Sequence, residues 1–297
     1  VAEDPFLVID GTGLLVKCNR AGSPRGMHAN GSRTGPLLLF INSLARLIRV
    51  HQPSHVLVAL DGLQARSWRQ SLVPSYKKDR PEPPSQESGE YRLAASFCLG
   101  AGIATLCHEG YEADDVIAYA YRRLLQDRAG LPMVIASDDA DLHQLAGPGT
   151  IQVSLSEHGR TVTDAWVRHT YGCEPYRLPR LKAVAGDKSD GVEGIKGVGL
   201  VKALALLQRT RWVLLNIEHK AFQDSVTLER ELCLNEDIFE LRNGIHAIWM
   251  EPGMEEYQMW QETRWPSPVP TREALRKFLD RYELASVSAR LEAGRLW

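Results

Sequence analysis

Three short apolar runs punctuate the chain: FLVI at 6–9, HVLVAL at 55–60 and MVIA at 133–136. Each has the length of a strand, and none alternates with polar residues. Such runs suit strands covered on both faces, as in a parallel sheet between helices. Each ends at or just before an aspartate: Asp10, Asp61 and Asp139. Between them run helical periodicities. Pro36 followed by LLLFINSLARLI opens as a helix with proline in its first turn. The stretch EADDVIAYAYRRLLQD (112–127) places Val116, Ile117, Ala120 and Leu124 on one face. This alternation predicts an α/β, doubly wound, mostly parallel sheet, with ligands beyond the carboxyl ends of its strands.

Two segments depart from that pattern. Residues 63–92 are polar and proline-rich, a long excursion between strand and helix of the kind that is often functional or disordered. Its first half carries Arg66, Arg69, Lys77, Lys78 and Arg80 against Asp79. Residues 176–211 hold eight Lys/Arg against three acids and contain the glycine-punctuated GVEGIKGVGL. Beyond about 215 the chain reads as helical, with tryptophans at 249, 260 and 265, best read as core, and the amphipathic stretch ALRKFLDRYELASVSARL at 274–291. The expected division is an α/β core over 1–175, excursion included, and a helical lobe over 176–297.

Composition narrows the class. With 297 residues, 44% hydrophobic and 24% charged, the chain is ordinary for a globular protein. No apolar run reaches the roughly 18–20 residues of a membrane span, and no secretory signal is visible. Five scattered cysteines (18, 98, 107, 173 and 233) predict a reducing, cytoplasmic setting rather than a disulfide framework. There is no zinc-like CxxC spacing. A net charge of −2 excludes a uniformly basic nucleic-acid coat but leaves room for local basic grooves.

The acids carry the chemistry. Asp10 and Asp61 follow buried strands. Glu112, Asp114 and Asp115 open a helix. Asp139 and Asp141 follow the third strand, and Asp187 and Asp190 are spaced to share a face of a helical turn. Each group also has a structural reading as a helix cap, a first-turn acid or a turn residue. Together, on one rim of a doubly wound sheet, they would repel strongly, and hard divalent cations are the usual remedy. His108 and His143 lie near this rim in sequence and are read as surface or core residues.

The strings VIDGTGLL (8–15), VALDG (58–62), SYKKDRP (75–81), GYEADDVIA (110–118), IASDDADLHQL (135–145) and AGDKSDGVEGIKGVG (185–199) occur in that order. In this the chain resembles the 5′-nuclease, or flap endonuclease, superfamily. It is similar to the 5′→3′ exonuclease domain attached to bacterial DNA polymerase I and to the stand-alone bacterial and phage enzymes. The resemblance implies structure-selective 5′→3′ exonuclease or flap endonuclease action, hydrolysing DNA phosphodiester bonds near free 5′ ends by a two-metal mechanism. Two magnesium ions are implied, with manganese able to substitute. Asp10, Asp61, Glu112, Asp114 and Asp115 would hold one, and Asp139, Asp141, Asp187 and Asp190 the second.

The resemblance makes the first excursion a helical arch for a single-stranded 5′ end. Lys77, Arg80 and Lys17 would take the catalytic, phosphate-facing roles, and Arg69 and Lys78 would contact DNA. The second basic region becomes a helix–hairpin–helix-like duplex clamp at about 181–208. There Lys196, Gly197, Val198, Gly199 and Lys202 would meet phosphate, and backbone carbonyls would hold a potassium ion. The implied partner is DNA with a duplex and a free or flapped 5′ end, bound by a monomer in a bacterial or phage-infected cell, with no membrane. No polymerase segment follows in this sequence, so a free-standing nuclease is expected. Asp138, where relatives often carry a small residue, is expected to alter second-site affinity. Gly191, where they often carry asparagine, is expected to loosen the turn of Asp190. A PIN-type ribonuclease and a non-catalytic junction binder are the alternatives.

Overall fold

The computed structural model describes residues 4–21, 27–29, 32–80, 89–127, 130–212, 276, 279–280, 282 and 284–293. The tryptophans at 249, 260 and 265, residues 81–88 of the expected arch and Cys233 lie outside them.

A six-stranded sheet organises the chain. Its strands are β1 (Phe6–Asp10), β4 (His55–Ala59), β5 (Ala104–Leu106), β6 (Met133–Ala136), β7 (Thr150–Val153) and β8 (Thr161–Val162), in the order β5-β4-β1-β6-β7-β8. The first five in that order pair in parallel, and β8 pairs antiparallel with β7. A separate ribbon joins β2 (His28–Ala29) to β3 (Ser32–Arg33). The three apolar runs form β1, β4 and β6, side by side in the middle of the sheet. Their residues are buried on both faces, which is why no alternation marks them.

Helices cover both faces. α1 (Gly11–Arg20), α2 (Gly35–His51) and α4 (Gly89–Gly100) pack Leu14, Phe40, Ile41, Tyr91 and Phe97 against one side, with Leu7, Ile9 and Val58 from the strands. α5 (Ala113–Asp127) packs on the other, burying Val116, Ile117, Ala120 and Leu124 as the periodicity predicts. The chain runs outward from β1 to β4 and β5, then returns to place β6 on the opposite side of β1. That switch of direction opens a crevice beyond the strand ends, where Asp10 and Asp139 lie.

The long excursion is shorter than its sequence suggests. The short helix α3 (Ser67–Leu72) and a turn-rich segment to Arg80 follow β4, and α4 is already helical at Gly89. Tyr91, expected within the arch, is a core residue of α4, as is Leu93 just beyond it.

The second basic region forms α7 (Leu178–Ala185), a glycine-rich loop and α8 (Leu200–Arg209). A third apolar cluster joins Leu178, Leu181, Val184, Ala203 and Leu207 to Ala146, Val162 and Val167. α6 (Asp164–Tyr171) supplies the last of these, so the packing runs continuously across the expected division at 175/176. Near the other end, Leu279, Leu284 and, on α9 (Ala285–Glu292), Val287 return to the first cluster, and Arg290 of α9 donates to Asn42 on α2. Among the described residues no helix is long and apolar enough to cross a membrane.

Val287 is fully buried against the sheet's helical layer. Val287→Asp places a carboxylate there without a partner and is expected to destabilise the chain by about 2 kcal/mol or more. Urea unfolding followed by far-UV circular dichroism checks this.

Candidate active site

The rim begins with helix caps. Asp10 ends β1 and caps α1, its Oδ1 accepting from Gly13 N at 2.7 Å. A Cβ on Gly13 would meet Asp10 Oδ2 at 2.4 Å, so the GTG spacing is what lets the carboxylate fold over the helix start. Asp61 Oδ1 accepts from Ala113 N at 2.8 Å, capping α5 from a neighbouring strand. Thr12 Oγ1 receives Asp61 N at 2.8 Å, and the Tyr91 hydroxyl donates to the Asp61 carbonyl. Asp61 is thereby fixed at three points.

A hydrogen-bonded chain links the remaining groups. Ser137 Oγ donates to Asp10 Oδ2 at 2.8 Å and accepts from Asp139 N at 3.1 Å. Asp139 Oδ1 accepts from Asp141 N at 2.8 Å. The Lys182 ammonium then contacts Asp141 Oδ1 and reaches Asp187 Oδ2 at 3.3 Å. Gln152 Nε2 donates to the carbonyls of Ser137 and Asp139, at 2.9 and 2.7 Å, and pins the β6 exit.

The acids of 187–190 occupy a tight turn closed by an Asp187–Val192 bridge rather than a helical turn. They point to different cations: Asp187 to Lys182 and Asp190 to Arg80, the latter at 2.8 Å. Gly191 does not loosen this turn. Its φ is +70°, and a Cβ there would come within 2.3 Å of the Ser75 carbonyl oxygen. Glycine allows the close approach, Ser75 Oγ donates to the Gly191 carbonyl at 2.8 Å, and Lys77 N donates to the Asp190 carbonyl at 2.7 Å. The base of the excursion is thus sewn to the Asp190 turn. Lys77 itself takes a left-handed φ of +46°, a costly conformation for a lysine that these contacts hold in place.

Charge is compensated from within. Lys77 Nζ bonds Glu112 Oε1 at 2.8 Å, both side chains 7% exposed. Arg69 bonds Glu112 Oε2 at 2.7 Å and both oxygens of Asp115, at 2.5 and 2.8 Å. The Tyr76 hydroxyl also donates to Glu112 Oε2, at 2.7 Å, and the Arg69 guanidinium stacks over Trp68. Burial alone would raise the Glu112 carboxyl; Lys77 and Arg69 overcome it and hold it at about 2. Among the described residues no cation bonds the Asp61 carboxylate, and Lys77 lowers it only weakly from a distance. Burial, then the Glu112 charge, push it up to about 7. Asp10 and Asp114 are also raised, chiefly by loss of solvent, with Glu112 adding to the effect at Asp114.

Several residues occupy places other than those expected. Arg69, expected on DNA, is 1% exposed and committed to two carboxylates. Asp115, expected as an ion ligand, is fully buried, with both oxygens on Arg69 and one also accepting from Glu112 N. Val198, expected on phosphate, is buried and its N–H donates to the Ile195 carbonyl. Lys196, Gly197, Gly199 and Lys202 are exposed at the α8 N-terminus, with Lys202 Nζ on the Gly197 carbonyl at 3.2 Å. Lys78 is exposed. Lys17 pairs with Asp138 at 2.6 Å, and Asp138 also accepts from Ser154 Oγ and Leu155 N. The extra acid is therefore spent on a lysine and a loop. His143 is a core residue: burial, then Lys182, lower it to about 4, and its ring bonds the Tyr171 hydroxyl.

Ser137, Gln152, Tyr76 and Lys182 were not singled out in the sequence. Ser137 and Tyr76 lie inside the matching strings, and Lys182 stands just before one. Nothing local distinguishes a lysine facing carboxylates from one facing water.

The donors are hard carboxylate oxygens, which fit divalent cations of the magnesium or manganese type. Asp114 accepts no side-chain hydrogen bond among the described residues, yet lies in the field of Glu112 and Asp139. Among the described residues, no three His, Cys, Asp or Glu side chains form a ready metal cage. The ammonium groups of Lys77 and Lys182 stand among the acids.

Fold and rim define a class: a doubly wound α/β protein with carboxylates gathered beyond its strand ends and basic elements on either side. The family model of the 5′-3′ exonuclease N-terminal resolvase-like domain matches residues 5–172. The 5′-3′ exonuclease of Halalkalibacterium halodurans is 35% identical over 215 residues, covering 69% of each chain. Flap endonuclease Xni of Photobacterium profundum is 32% identical over 204 residues, covering 68% of this chain and 76% of its own. Bacillus caldotenax DNA polymerase I is 30% identical over 208 residues, which are 69% of this chain and 23% of the polymerase. Among solved structures, T5 5′-exonuclease with bound zinc superposes with a TM-score of 0.65 at 18% identity, over 94% of this chain and 98% of that one. The catalytic core of Rad2 with DNA substrate gives 0.53 at 14%, over 99% and 92%. The chain belongs to the 5′-3′ exonuclease family, within the 5′-nuclease superfamily.

Two measurements probe the rim. Arg69→Met leaves Asp115 fully buried without its cation and is expected to cost about 3–5 kcal/mol of stability by urea unfolding. In EDTA, the raised Asp61 makes the folded state bind more protons than the unfolded state between its ordinary 3.8 and about 7. Stability should therefore fall as pH rises through that window. Asp61→Asn should flatten the slope in melting temperatures recorded from about pH 4 to pH 7.

Proposed function

We propose that this chain is a structure-selective 5′ nuclease that hydrolyses DNA phosphodiester bonds near a free or flapped 5′ end, using two magnesium ions. The observation that carries the reading is the continuous network Asp10–Ser137–Asp139–Asp141–Lys182–Asp187 at the switch point of the sheet, with Glu112 bonded to Lys77 and Asp61 and Asp114 in the field of both. The match of the chain to the 5′-3′ exonuclease family model and to flap endonuclease Xni supports the substrate class.

Asp10, Asp61, Glu112 and Asp114 form one ligand group, and Asp139, Asp141, Asp187 and Asp190 the other. Bound divalent ions supply Lewis acidity, lowering the pKa of water and screening phosphate charge. The protein does the rest. Lys77, held in an unusual backbone conformation over the acids, orients and neutralises the scissile phosphate. Arg80, 44% exposed, and Lys17 flank it and steer the strand. Arg69 and Asp115 act as positioning residues: they fix Glu112 and the start of α5 and do not touch substrate. The exposed α8 N-terminus, with Gly197, Gly199, Lys196 and Lys202, offers backbone N–H groups and two ammoniums to duplex phosphates, independent of sequence. The Gly197 carbonyl, already an acceptor for Lys202, is where a potassium ion would be held. The protein acts as a monomer in the cytoplasm.

A 5′-end-labelled flap duplex with magnesium, resolved by product length, tests this. Asp61→Asn and Asp139→Asn should reduce cleavage to background while circular dichroism stays native. Lys77→Ala should lower the single-turnover rate by about 10²–10³ with little change in duplex affinity. Cleavage retained by both aspartate variants would reject the reading.

A further inference from the structure

Lys182 sits in the last turn of α7, five residues before Asp187. Its ammonium lies between two acids assigned above to the second ion, Asp141 and Asp187, which come from different segments of the chain. The site is built rather than loose. The Lys182 side chain is 17% exposed and that of Asp141 10%. Asp187 is held from its other oxygen by Ser189 N at 2.8 Å and Ser189 Oγ at 2.5 Å. Asp141 is held through its N–H on Asp139. The lysine therefore has a fixed pair of anions, and those anions are the ones a divalent cation would use.

We propose that Lys182 is a tethered counter-cation of the second carboxylate group. It holds Asp141 and Asp187 in register when no ion is bound, and an entering ion must displace it. This rests on the reading of the acids as ion ligands. Two cations cannot share the same carboxylate oxygens without strong repulsion, so the ammonium sets the affinity of the second position below that of an unopposed acid cluster. The flexible four-carbon stem makes displacement possible without moving α7. Lys182 thus makes the second ion the weaker of the two. Filling of the site then depends on the divalent ion concentration, and the metal-free rim stays folded. Lys77 differs: it comes from the excursion, pairs with Glu112 of the other group and is assigned to phosphate.

The test is manganese binding to the full chain without DNA, followed by the electron paramagnetic resonance signal of free Mn²⁺, on the wild type and on Lys182→Met, Lys182→Gln and Lys182→Arg. Removing the charge is expected to tighten the weaker class of ions by at least about tenfold and leave the tighter class unchanged. Lys182→Arg is expected to keep the weak affinity. The neutral variants should melt lower in EDTA and gain more from added manganese than the wild type. Should Lys182→Met not fold, Lys182→Gln, which keeps a donor for Asp141, carries the measurement. Unchanged or weaker binding in the neutral variant overturns the role of Lys182 while leaving the ion site standing. If wild-type binding is absent, or survives both Asp10→Asn and Asp141→Asn, the ion-site reading fails and the proposal with it.

Discussion

The constraint on which this structure turns is the balancing of clustered carboxylates. A doubly wound sheet delivers the ends of β1, β4 and β6 to one edge, and each of these strands leads into an aspartate. The charges have to be met there. Two devices meet them. Backbone N–H groups at the starts of α1 and α5 take Asp10 and Asp61, that of Asp141 takes Asp139, and cations reaching in from elsewhere take Glu112, Asp115, Asp141, Asp187 and Asp190. Lys77, Arg69, Arg80 and Lys182 each end on one or more acids of the rim. The basic excursion is therefore anchored at its base by the charge it is supposed to manage.

That anchoring divides the basic residues by function. Arg69 is spent entirely inside the protein, where a buried guanidinium with two carboxylates, a tyrosine and an indole makes a rigid foundation. Lys77 stands one step nearer the rim, and Arg80 is half in solvent. Burial thus falls along twelve residues, from Arg69 inside the protein at the root to Arg80 in contact with solvent at the tip. Asp138 ties Lys17 and the loop after β7 together, and its charge also reaches Asp10.

Structural and chemical readings of the acids are not alternatives here. Asp10 is a helix cap and a rim carboxylate, because a capping side chain at a strand-to-helix junction keeps one oxygen for the helix and turns the other outward. Asp115 is the opposite case. As a third-position acid it reaches back to Glu112 N, and Arg69 claims what is left, so an acid indistinguishable from Asp114 in sequence ends with nothing free for a ligand.

The sequence alone determined the layered α/β plan, since doubly covered strands must be uniformly apolar and helices must bury one stripe. It also determined which acids stand at strand ends, because strand length and chain direction settle that locally. The six ordered strings gave the family. What tertiary structure decided was the pairing of charges: which cation meets which acid, that Arg69 and Asp115 turn inward, that Val198 packs inside the loop between α7 and α8, and that Lys182 stands between Asp141 and Asp187. The reason is physical. Secondary structure follows from neighbours a few residues apart. An ion pair such as Arg69–Asp115 or Lys182–Asp141, between residues of different elements, depends on how those elements dock, and a lysine carries the same charge whether its neighbour turns out to be water or a carboxylate.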